Sequence, residues 1–145
     1  PALFGYKLES KDDLSFDDRA SSPFMPRCRV IDPAFTWGND RPLRTPWDRT
    51  VIYETHVRGY TKLHGAVPEE FRGTFRGLDD PTVLEYIRDL GITAIELLPV
   101  HTFVDDSYLL DKGLKNYWGY NTISFFAPER RYASGPQIVW RRSGR

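Results

Sequence analysis

The sequence predicts an α/β fold built on a parallel strand–helix–strand unit. Three observations predict it. Residues 51–57 are rich in β-branched and aromatic side chains and read as a strand. Residues 81–90 carry apolar positions at helical spacing between an aspartate and a glycine. Residues 93–100 are a short apolar run that reads as a second, buried strand. Strand, helix and strand in that order make a crossover between parallel strands. With 145 residues, 40% of them hydrophobic, the chain can bury a core.

Composition narrows the function classes. Lys plus Arg and Asp plus Glu both number 20, so the formal net charge is zero. A neutral chain lacks the clustered basic charge that binds nucleic acid. It also lacks the polybasic pull toward anionic lipid, and no apolar run reaches the length of a membrane span. Cys28 is the single cysteine, and the three histidines are scattered. No intrachain disulfide, no metal site and no cofactor are expected from this set.

Along the chain, residues 1–50 show little periodicity. Asp12-Asp13, Asp17-Asp18, Ser21-Ser22-Pro23, Pro26, Pro33, Pro42 and Pro46 argue for extended segments and turns. Phe4, Tyr6, Phe16, Phe24, Phe35, Trp37 and Trp47 are too many aromatics for a solvated linker, so this segment is expected to pack along a folded body. The strand at 51–57 ends near Arg58-Gly59, and residues 60–78 follow as a loop. Asp80 can cap the next helix, Pro81 suits its first position, and Gly91 suits its stop. Val83, Leu84, Ile87 and Leu90 form its apolar face. After the second strand a polar loop covers 101–115, and residues 117–126 form a third strand or lead into one.

In parallel α/β folds the working residues sit at the C-terminal ends of strands and in the loops that follow. Three groups occupy such places: His56 with Arg58, His101, and the run Tyr117-Trp118-Gly119-Tyr120-Asn121. Two histidines, an arginine and several aromatic rings suit a sugar site, where rings stack on pyranose faces and polar groups read hydroxyls. Each has an equally plain structural reading. His56 and His101 can be hydrogen-bonded core residues, Arg58 can pair with a carboxylate, and the aromatics can fill a core. Glu54 and Glu96 lie inside strands, where a buried carboxylate needs a partner. Asp79 and Asp80 precede the helix, and capping is their simplest role. No Ser/His/Asp order, phosphate loop or cysteine pair is present.

Several stretches resemble the α-amylase family of glycoside hydrolases. Val51-Ile52-Tyr53-Glu54-Thr55-His56-Val57-Arg58-Gly59-Tyr60-Thr61 is similar to that family's first barrel strand. Gly73-Thr74-Phe75 with Gly77-Leu78, and the run from Leu90 to His101, resemble its first helix and second strand. Asn116-Tyr117-Trp118-Gly119-Tyr120-Asn121, running into Phe125-Phe126-Ala127-Pro128-Glu129-Arg130-Arg131-Tyr132-Ala133, resembles its third-strand region. The wording is closest to the isoamylase and bacterial glycogen debranching branch. The resemblance implies an incomplete (β/α)8 barrel, its first two to three units, in residues 49–136. It implies that residues 1–48 connect this barrel to an N-terminal carbohydrate-binding module.

The implied activity is hydrolysis of α-1,6-glucosidic branch linkages in glycogen or limit dextrin, by a retaining mechanism with two carboxylates about 5 Å apart. The implied partner is an α-glucan. Tyr120 matches the aromatic that stacks under the sugar next to the scissile bond. Trp118, Tyr117, His56, Arg58 and His101 are weaker candidates for substrate binding. The sequence departs from the family in carrying no Asp-x-x-x-Asn-His motif and no Gly-x-Arg-x-Asp at a strand end, so no catalytic carboxylate is assigned. The chain is therefore expected to be an inactive fragment of a cytoplasmic enzyme, with residues 137–145 an aberrant or truncated tail. Two alternatives stay open: a non-catalytic glucan-binding fragment, and a piece of a trehalose-releasing or branching relative.

Overall fold

A computed structural model describes residues 15–28 and 34–135. The expected tail at 137–145 and much of the expected connector, residues 1–14 and 29–33, lie outside the described residues. The chain divides into two units, Pro1–Pro42 and Leu43–Arg145.

In the first unit, the described residues form bends and turns without strand or helix, as the proline and aspartate spacing predicts. Asp17 and Arg19 form a forked ion pair with Nη2 2.5 Å from Oδ2 and Nε 2.8 Å from Oδ1. The Arg19 guanidinium holds the Asp17 carboxyl down at about 2. Phe16, Phe24, Phe35 and Trp37 of this segment are exposed. An extended, proline-punctuated backbone presents no continuous apolar stripe to bury them.

The second unit begins with a short 3-10 turn at Trp47–Arg49 and enters strand β1 at Ile52–Thr55. The predicted strand ran to 57. It stops at Thr55 because His56 takes extended dihedrals and caps helix α1, Val57–Thr61. The predicted loop at 60–78 contains a 3-10 turn at Glu69–Phe71 and helix α2, Phe75–Leu78. Thr74 caps α2 by accepting from the Gly77 N–H. Gly77 is obligatory there, since a Cβ would strike the Phe71 carbonyl oxygen.

Helix α3, Pro81–Asp89, follows the prediction closely. Asp80 Oδ1 accepts from the Thr82 N–H at 3.0 Å, Pro81 occupies the first turn, and Gly91 turns the chain out at φ +80°. Its buried positions are Val83 and Ile87, whereas Leu84 and Leu90 are exposed, so the covered stripe is narrower than predicted.

Strand β2, Ala94–Leu97, pairs with β1 in parallel, with Ile52 opposite Ala94 and Thr55 opposite Leu97. The strand–helix–strand reading is met. The reading of β2 as buried is not: all four of its residues are exposed. Among the described residues only β1 borders it in the sheet, and Ile95 and Leu97 keep more than a third of their surface open to water. Glu54 and Glu96, read as carboxylates in need of partners, are register neighbours and both exposed to water.

The polar loop predicted at 101–115 holds strand β3, His101–Phe103, and helix α4, Ser107–Leu110. The third predicted strand appears as β4, Thr122–Pro128, after the aromatic run rather than through it. It pairs with β3 antiparallel, as a separate two-stranded sheet with an irregular register. The described residues are thus a small α/β assembly with no closed barrel. Its core is Val57, Val67, Leu78, Val83, Ile87, Phe103 and Tyr132. No helix among the described residues is long and apolar enough to cross a membrane.

Candidate functional site

The site starts from what His56 must do at the end of β1. A helix leaves its first N–H groups without intrahelical partners. The His56 Nδ1 accepts from two of them, Arg58 N–H and Gly59 N–H, each at 3.0 Å. A nitrogen that accepts twice carries no proton, so the ring proton is assigned to Nε2. That N–H donates to the Tyr117 carbonyl oxygen at 2.7 Å. The Tyr132 hydroxyl lies 3.2 Å from the same nitrogen. The buried imidazole also stacks flat on Tyr117, with centroids 4.1 Å apart and planes at 7°. Both nitrogens are engaged, so the structural reading left open by the sequence is met, and the same residue walls the site.

A second set of polar groups holds the aromatic loop from the other side. Asn116 donates its backbone N–H to Asp105 Oδ1 at 2.8 Å, and its Oδ1 accepts from the Gly119 N–H at 2.9 Å. Asn121 Nδ2 donates to Asp106 Oδ1 at 2.9 Å. Arg131 Nη1 donates to Asp105 Oδ1 at 2.9 Å, Nη2 donates to the Phe103 carbonyl at 3.2 Å, and Nε pairs with buried Glu129 at 3.1 Å. Glu129 Oε2 accepts from the Phe103 N–H at 3.2 Å. The guanidinium also covers the Phe103 ring, 4.2 Å from its centroid. These bonds tie the loop at 116–121 to β3 and to the turn after β4.

Glycines let the pieces approach. Gly119 sits at φ +83°, and a Cβ there would lie 2.9 Å from Phe103 Cε1. At Gly59 a Cβ would collide with the Tyr117 hydroxyl.

The result is an open depression of about 640 Å³ lined by Glu54, Thr55, His56, Tyr60, Tyr117, Trp118 and Tyr120, among others. Trp118 is 58% and Tyr120 71% exposed, so their rings are available to a ligand. Tyr117 and Trp118 meet edge to face with centroids 5.3 Å apart. Rings set beside the Glu54 carboxylate and the Tyr60 hydroxyl offer both apolar stacking and hydrogen bonding.

Four of the six candidate residues, His56, Tyr117, Trp118 and Tyr120, are brought together here. Arg58 and His101 are not part of the lining. Arg58 is exposed on α1 and makes no ion pair among the described residues. His101 packs edge-on against Phe125 on the antiparallel pair, centroids 5.6 Å apart. Sequence reasoning missed Tyr60 and Tyr132 as parts of the site. Among the described residues no cluster of His, Cys, Asp and Glu could hold a metal ion.

Tyr132 carries a pH consequence. Burial, and then the nearby Glu129 charge, push its hydroxyl above the usual tyrosine value of 10.0. The neutral form is favoured in the fold, so its contribution is fully present below pH 10 and is lost as pH rises above it. Thermal unfolding followed from pH 8 to pH 11 is expected to show a fall in midpoint confined to the alkaline end, smaller in Tyr132→Phe, where Tyr60, also pushed up by burial, still contributes.

No family model matches the chain. A "Glycogen operon protein GlgX homolog" of Mycobacterium bovis is 47% identical over 140 residues, 92% of this chain and 19% of its own length. A "Glycogen debranching enzyme" of Klebsiella pneumoniae is 48% identical over 120 residues, 83% of this chain and 18% of its own. Among solved structures, pullulanase type I from Bacillus subtilis, complexed with maltose, matches with a TM-score of 0.56 and 31% identity. That match covers 74% of this chain and 16% of the pullulanase. A pullulanase from Anoxybacillus matches with a TM-score of 0.51 and 29% identity, over 74% of this chain and 16% of its own. The chain spans about a fifth of the length of the curated relatives it matches. Over most of its length the chain is thus similar in sequence to one stretch of proteins named glycogen debranching enzymes and in fold to one stretch of pullulanases.

Proposed function

We propose that this chain is the segment of a retaining α-1,6-glucan debranching glycosidase that supplies the opening strands of the catalytic (β/α)8 barrel and an aromatic wall of its sugar site. The partner is an α-glucan of the glycogen or limit-dextrin type. In this reading β1 and β2 are the first two barrel strands, which the parallel pairing supports. Residues 1–48 are the connector to a carbohydrate-binding module. The carrying observation is the convergence of Tyr117, Trp118 and Tyr120 on one open depression at the C-terminal end of β1. That is the end at which barrel enzymes bind substrate. The maltose-bound pullulanase that resembles the chain in structure agrees with a glucan ligand.

The segment's motifs do not include the family's catalytic carboxylates, and His56 has no free nitrogen with which to act as a base. The 145 residues alone are therefore expected to bind glucan without cleaving it. Maltotetraose is the probe, and the change in tryptophan emission that Trp118→Phe removes reports its arrival. Tyr120→Ala is expected to weaken binding about fivefold, the equivalent of losing roughly 1 kcal/mol of apolar burial under the sugar. Unchanged affinity in that variant, or release of reducing ends from limit dextrin by the chain itself, would overturn the reading.

A further inference from the structure

We infer that His56 is a positioning residue: the proton it keeps on Nε2 fixes the Tyr117 carbonyl and ring, and through them the height of the aromatic wall over the depression. The inference rests on the proposed sugar site and names the device that sets it. The imidazole has two edges with separate tasks. Its Nδ1 edge is spent on α1, accepting from Arg58 N–H and Gly59 N–H. That edge dictates the tautomer, because an acceptor there leaves the proton for the other nitrogen. The Nε2 edge then presents a donor to the Tyr117 carbonyl, 61 residues along the chain.

The flat face of the ring does the rest. Tyr117 lies parallel to it, and its hydroxyl fills the space over Gly59 that a side chain would take. Tyr117 is thereby held at its carbonyl, its ring face and its ring tip. Trp118 leans edge-on against Tyr117, and Gly119 carries the chain on to Tyr120. The cap on a helix and the placement of a sugar platform are coupled through one aromatic ring.

The two edges can be separated by substitution. In His56→Asn the side-chain oxygen can still accept from the α1 N–H groups but no donor reaches Tyr117. In His56→Gln the longer amide can reach the Tyr117 carbonyl but is poorly placed to cap. The positioning role predicts that His56→Asn keeps helix content yet binds maltotetraose about fivefold to tenfold more weakly, the loss of one hydrogen bond. His56→Gln is expected to recover most of that affinity while unfolding at a lower temperature. A purely structural His56 gives the opposite order, with Asn near the parent and Gln worse in both measures, and overturns the inference.

A ligand-free measurement separates this inference from the sugar-site reading. Nitrogen-15 and proton spectra of the 145-residue chain are expected to show the Nε2–H tautomer of His56, and through-space contacts between the Tyr117 ring and Gly59 that are lost in His56→Asn and retained in His56→Gln. If the parent shows these signals but binds no maltotetraose, the sugar-site reading fails and the positioning of Tyr117 stands. If the Nδ1–H tautomer is found, or Tyr117 does not respond to either substitution, the inference fails whatever binds.

Discussion

Gly119→Ala is expected to lower the stability of the second unit by about 2–5 kcal/mol and to abolish glucan binding. Two costs add. The position has φ +83°, and a left-handed backbone costs a residue with a Cβ roughly 1–2 kcal/mol. The new methyl would also sit 2.9 and 3.0 Å from two Phe103 ring carbons and 3.2 Å from Pro99 Cβ. Phe103 is a core residue with no room to retreat, and overpacking of this kind costs about 1–3 kcal/mol. Relief requires moving the loop, which displaces Trp118 and Tyr120 on either side. Urea unfolding gives the first number, and maltotetraose titration gives the second. A stability loss without a binding loss would mean that the loop does not carry the site.

Arg131→Met is expected to cost about 2–3 kcal/mol, the second large effect. Breaking a buried ion pair by removing one partner costs about 3–5 kcal/mol, because it strands the other charge. The Arg131 side chain is 30% exposed, so water screens part of that and the lower range applies. What is stranded is Glu129, 4% exposed, whose remaining donors are the Phe103 and Arg131 backbone N–H groups. Asp105 loses its guanidinium as well, and the Phe103 ring loses the cation above it. The double variant Arg131→Met with Glu129→Gln is expected to recover more than half of the loss, since no buried charge then lacks a partner. Strict additivity of the two single costs in unfolding experiments would contradict this account.

How much of this was legible in the sequence follows from the range over which each signal acts. Helix α3 was readable because its cap, its first-turn proline, its apolar spacing and its terminal glycine all fall within residues 80–91. β1 and β2 were readable from composition, and their parallel pairing follows from the crossover between them. Helices α1 and α2 were not, because five and four residues are too few to show a period. They exist because His56 and Thr74 cap them and because Val57 and Leu78 reach the core. β3 has three residues, and only its partner β4 defines it.

Burial was the feature read least well. Apolar content marks Ile95 and Leu97 for burial, but whether a face is covered depends on what packs against it, which the run itself does not encode.

The site divides the same way. Tyr117, Trp118, Tyr120 and His56 were visible as residue types at strand ends. The Asp105, Asp106, Asn116 and Arg131 lattice was not, since its side-chain partners stand 10 to 26 residues apart in the chain. Nothing periodic links such positions. A single exposed-looking arginine at 131 reads as solvent charge until the fold brings it over Phe103.

The bonds that His56 makes to Tyr117 and Tyr132 span 61 and 76 residues. On the ribosome, the β1 and α1 residues emerge well before their partners. At about 5–20 residues per second, the Tyr117 ring arrives roughly 3–12 s after the histidine it must meet. During that interval the imidazole has an empty flank, and the aromatic residues emerge before their seat is finished. The depression is therefore assembled last in time although its first residue is made early. Errors in translation pace between residues 56 and 132 would fall on this pocket first, while α3, whose caps and core contacts are local, would already be in place.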